Sequence, residues 1–167
     1  MKKTTTLLFF VLTSLSIFAQ NASAWDAVPL EKDKDYKTAV PKIKECVTYL
    51  LSHPFSKEDD KSISASKLLI RWMTGTPDYS FNILGNIVKI DPDGQIMAAY
   101  MAALVKVGLA SPENLKDLKK GELATMKIVA EYCANPANKV KQTDEIKKLI
   151  KANKEGKLAS VLTFGAK

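Results

Sequence analysis

This chain is short of the residues and motifs that usually carry chemistry. Among 167 residues it has two cysteines and one histidine. A single histidine cannot build a histidine-rich zinc site, and any imidazole-dependent dyad or triad must use His53 alone. His53 precedes Pro54, where a helix is expected to stop, and there it suits the negative end of the helix dipole. No GxSxG, HExxH, P-loop or GxGxxG pattern occurs, so hydrolase, metalloprotease and nucleotide-binding templates lack support. No CxxC occurs, which argues against a catalytic redox role. Carboxylates are plentiful, yet no pattern selects two of them for glycoside chemistry. Glu122 and Glu131 are read as a solvated helix face. Asp91-Pro92-Asp93-Gly94 resembles part of a calcium loop. Aligned on Gly94, however, that loop has Lys89 where its first acidic ligand belongs and Tyr100 where the closing Glu belongs. The segment is therefore read as a turn. No cofactor or metal site is expected.

Long apolar runs are scarce beyond the first two dozen residues. The most apolar later stretch, 96–109, is too short to span a bilayer and contains Lys106. The beginning of the chain differs. Lys2 and Lys3 precede an apolar core from Leu7 to Phe18, and Ala22-Ser23-Ala24 supplies small residues for cleavage. This is the pattern of an export signal, with Trp25 as the expected mature N-terminus. No cysteine follows the apolar core, which argues against lipid anchoring. The expected location is exported, periplasmic or secreted.

Removal of 24 residues leaves 143, enough for one domain with one core. The formal charge of +7 becomes +5 once Lys2 and Lys3 leave. That surplus is too mild for a nucleic-acid binder, and no nucleic-acid partner is expected. Weak contact with anionic lipid or cell-wall polymer is compatible with it.

Periodicity predicts helices throughout. A polar arm, 25–40, is anchored by Trp25, Val28 and Leu30. Helices are expected over 41–52, with Ile43, Val47, Leu50 and Leu51 inward, and over 58–73, capped by Ser56. Residues 79–90 fit either helix or strand, and helix is preferred. The strongest helix is expected over 95–107, apolar on nearly every side and therefore buried, with Gly108 closing it. Ser111-Pro112-Glu113 opens a short turn of helix. Helices over 122–134 and 144–153 follow, the second capped by Thr143, and an apolar tail at 159–164 packs back. The x-Pro turns at His53-Pro54 and Asn135-Pro136 each join two helices, giving two hairpins of similar layout.

The expected architecture is all-α: a compact bundle of about five to six helices built from helical hairpins, behind a cleaved signal peptide. It comprises a signal (1–24), a polar arm (25–40) and a single helical domain (41–167). Cys46 and Cys133 both lie on inward stripes. Either they form one bridge, closing a loop of about 87 residues worth ~4–5 kcal/mol in the chain-entropy model, or they remain packed thiols. Trp72, Met97, Met101 and Met126 are either plain core or the lining of an apolar pocket. Lys147, Lys151 and Lys154 gather on one side of the last helix as a basic face.

The layout, with two inward cysteines, resembles small exported helical proteins that act as inhibitors or immunity proteins. It is a resemblance of pattern and implies no site residues. The functional expectation is an exported, non-catalytic binding protein, inhibitor- or adaptor-like, whose partner is another exported or cell-envelope protein. The alternatives are a carrier of a small apolar ligand in a bundle cavity and, third, an enzyme using a carboxylate pair.

Overall fold

The computed structural model describes residues 24–164. Except for Ala24, the expected export signal lies outside the described residues. Those residues form eight α-helices and two short 3-10 turns, with no strand among them. Five helices are long. The expected count of five to six falls short because three short helices, α1 (Asp33–Thr38), α4 (Gly85–Ile90) and α6 (Glu113–Lys116), join them.

The arm holds α1 and is tied to the bundle. Trp25 is buried, Val28 and Leu30 pack against the same core, and Ser64 Oγ donates to Asp26 at 2.7 Å. Helix α2 (Val40–Ser52) begins with Pro41 in its first turn, where the missing N–H costs nothing. Helix α3 (Asp60–Gly75) starts two residues later than expected and is capped by Asp59, not Ser56. The Asp59 carboxylate accepts from the Lys61 and Ser62 amides, a stronger cap than a hydroxyl.

Residues 79–84 are not helical, and only α4 realises the helix expected over 79–90. Tyr79 and Phe81 instead lay their rings against Trp72, at 5.2 and 5.8 Å. Asp91 then caps the next segment, accepting from Gln95 N at 3.0 Å and Ile96 N at 2.7 Å. Its carboxylate is spent on backbone amides, as the turn reading requires.

Helix α5 (Met97–Ala110) runs three residues beyond the expected end. Gly108 lies inside it rather than closing it. A Cβ there would stand 2.7 Å from Leu115 Cδ1, so this glycine permits close packing and does not mark a stop. Helix α7 (Leu118–Ala134), capped by Asp117, begins four residues early. Helix α8 (Asp144–Lys154) is capped by Thr143, as expected.

Helix α5 organises the bundle by burying two faces. Ala98, Met101, Ala102 and Val105 recur at helical spacing and face α2 and α3, in a core that includes Ile43, Leu50, Leu69 and Trp72. Ala99, Tyr100, Ala103 and Leu104 face the other way, toward α7 and a core with Met126, Val129, Ile146 and Leu149. Each face mixes large residues with alanines. A hairpin therefore packs on either side: α2–α3 on one, α7–α8 on the other. The chain after α8 returns as a strap, burying Leu158 and Leu162.

Candidate functional site

A cleft of about 1040 Å³ lies at one end of the α2–α3 hairpin. Part of its lining is aromatic. The Tyr49 ring lies between Trp25, 5.4 Å away and tilted, and His53, stacked at 4.2 Å. Two features of sequence produce this. His53, the residue that closes α2, follows Tyr49 by four positions and stacks on its ring, and the docked arm brings Trp25 to Tyr49. The rim carries Lys44, Glu45, Glu58, Asp60 and Lys61.

The polar groups at the base serve the fold. Tyr49 Oη donates to Asp59 Oδ2 at 2.7 Å, and Ser62 Oγ donates to the same oxygen at 2.6 Å. These bonds, Ser62 first and Tyr49 second, hold the Asp59 carboxyl below its usual range. Burial, reinforced by Asp59, raises the Tyr49 phenol. Glu45 is lowered chiefly by Lys42, whose Nζ sits 2.9 Å from Oε2, with a smaller contribution from the Trp25 side chain. His53 Nδ1 lies 3.0 Å from the Tyr49 carbonyl oxygen and 2.9 Å from Ser52 Oγ, while its own carbonyl accepts from Tyr132 at 2.9 Å. The ring thus closes the end of α2, as its position beside Pro54 suggests. What the cleft offers is shape, aromatic surface and a rim of both charges.

A second polar cluster is buried. Glu122 is 3% exposed, which corrects the solvated-face reading, whereas Glu131 is exposed. Beside it, Gly121 lets α7 lie directly against the Asn114 carbonyl, where a Cβ would collide. Glu122 accepts from Asn86 Nδ2 and from Tyr100 Oη, both at 2.9 Å. Burial first, and Glu122 second, push the Tyr100 phenol above its ordinary range. Asn86 also accepts from Thr163 N at 2.8 Å, so one amide joins α4, α7 and the strap. This cluster is a clasp in which both Glu122 oxygens and both polar atoms of the Asn86 amide have hydrogen-bond partners.

The residues singled out from sequence fall in three places. Cys46 and Cys133 are free, buried thiols, one in each core, and burial pushes both up to about 12. At that value neither has appreciable thiolate. Trp72, Met97, Met101 and Met126 do not share one cavity wall. Trp72 and Met101 belong to the α2–α3 core and Met126 to the α7–α8 core, while Met97 is half-buried against both. Trp72 Nε1 donates to the Tyr36 carbonyl at 2.9 Å, fixing the arm. Lys147, Lys151 and Lys154 are brought together around a shallow groove with Gln142, Ile150 and Glu155.

Sequence reasoning passed over the cleft. Its residues come from the arm, the end of α2 and the start of α3, and the only signals were the Tyr49–His53 spacing and the acidic run 58–60. No helix among the described residues is long and apolar enough to cross a membrane. No cluster of three or more histidine, cysteine, aspartate or glutamate residues among them is placed to hold a metal. Comparison with protein-family models, with curated proteins and with solved structures gives no match.

Proposed function

We propose that this chain is an exported, non-catalytic binding protein that recognises another exported or cell-envelope protein through the α2–α3 cleft. The observation that carries the reading is the cleft itself: Trp25, Tyr49 and His53 line a recess of about 1040 Å³ within a charged rim. Aromatic anchors framed by polar residues are the composition that protein interfaces favour. The imidazole Nδ1 of His53 and the Asp59 carboxylate are engaged locally, which leaves surface recognition as the better use of the site. The export signal supplies the compartment, and the docked arm links it to the cleft, since Trp25, the expected mature N-terminus, forms one wall.

The experiment is a native mass spectrum of the protein as recovered from the cell. The reading predicts a complex of defined stoichiometry with a second protein, lost when Thr48, exposed within the cleft, is changed to Arg. A small apolar adduct on the bare chain, unaffected by Thr48→Arg, would favour the carrier alternative and contradict this reading.

A further inference from the structure

Charge is unevenly distributed along this chain. Residues 24–138 carry 15 basic and 15 acidic side chains and are therefore balanced. Residues 139–157 carry seven lysines against Asp144, Glu145 and Glu155, a surplus of four. The net positive charge of the described residues is thus concentrated on and around α8.

Helix geometry arranges part of this surplus as a row. Lys147, Lys151 and Lys154 are spaced i, i+4, i+7, so they share one face of α8 and extend along about 10 Å of it. They border a shallow groove of about 370 Å³ with Ile150, Gln142 and one acidic residue, Glu155. Their ion pairs are exposed and loose: Lys147 to Asp144 at 3.5 Å and Lys151 to Glu155 at 3.9 Å. Lys154 has no ion pair among the described residues. Pairs of this kind hold little free energy and yield readily to a denser array of anions.

We propose that this face of α8 docks on an anionic phospholipid surface. An open row of lysines matches a plane of phosphate groups better than a single enclosed anion. The contact is adsorption without insertion, because the apolar side of α8 is already used: Ile146, Leu149 and Ala152 are buried in the bundle. Attraction of this kind acts within a Debye length and weakens with salt. The face belongs to the α7–α8 hairpin, across α5 from the cleft, so docking leaves the cleft open. The proposal stands independently of what the cleft binds.

The test is sedimentation of the protein, as recovered from the cell, with vesicles of phosphatidylcholine and phosphatidylglycerol or of phosphatidylcholine alone. The expected result is binding only to the anionic vesicles, lost on adding salt. The variant Lys147→Glu/Lys151→Glu/Lys154→Glu should lower it roughly tenfold or more. A control carries Lys34→Glu/Lys67→Glu/Lys127→Glu, the same charge change spread over other faces, and should lower it much less. Far-UV circular dichroism verifies that both variants fold; should the α8 triple fail, Lys154→Gln alone must still weaken binding measurably. Equal losses in the two triples, binding to neutral vesicles, or displacement by inorganic phosphate at low ionic strength would each overturn the proposal.

Discussion

Asp59 does three things at once: it caps α3, anchors Tyr49 and holds Ser62. Asp59→Ala should cost about 1–2 kcal/mol in urea unfolding at neutral pH, from the lost cap and the freed phenol. The pH dependence follows from its lowered carboxyl. Stability from this group is present above the ordinary aspartate value and is lost as pH falls through the folded one. The difference between wild type and Asp59→Ala should therefore shrink below pH ~4, and a gap unchanged down to pH ~2 would contradict the assignment. Gly121→Ala makes a separate point. The new Cβ would meet the Asn114 carbonyl, part of the backbone, which cannot swing aside. A loss of about 1–3 kcal/mol is expected in thermal unfolding, whereas helix propensity alone would give a gain of up to ~1 kcal/mol.

At the level of elements, periodicity located all five long helices, because each has a face that must be buried. Their ends were less legible. Helix α7 starts at its Asp117 cap and α5 runs on through Gly108; the two glycines inside these helices let another segment approach, and sequence cannot show what approaches. Residues 79–84 have helical spacing, yet the chain there lays Tyr79 and Phe81 against Trp72 and forms no helical turn. The clasp was illegible for the same reason: Glu122, Asn86 and Thr163 lie on three separate segments. Asn86→Ala should release the strap. Hydrogen exchange is expected to accelerate over 158–164, with a stability loss of about 1–3 kcal/mol, while α2 and α3 keep their protection. Uniform acceleration across the bundle would mean that the strap is no separate unit.

For the molecule as a whole, the two hairpins on either side of α5 place each cysteine in its own core. Both thiols should resist an aqueous thiol reagent in native protein and react only on unfolding, read by mass. Cys46→Ala and Cys133→Ala should each cost about 1–2 kcal/mol, the scale of small core truncations, not the ~4–5 kcal/mol of a lost bridge. The same division separates a cleft at one side from a lysine face at the other. Of these, the lysine face was readable from sequence because its residues lie on one helix. The cleft was not, since Trp25 reaches it from the arm.

The most direct test of the central claim is photo-crosslinking in the cell from a single site on the cleft rim. A photoreactive residue replaces Glu58, and the control replaces Lys127, exposed on α7 away from the cleft. The account predicts one discrete protein adduct from position 58, absent from position 127 and abolished by adding Thr48→Arg. The same adducts from both positions, or an adduct indifferent to Thr48→Arg, would contradict it.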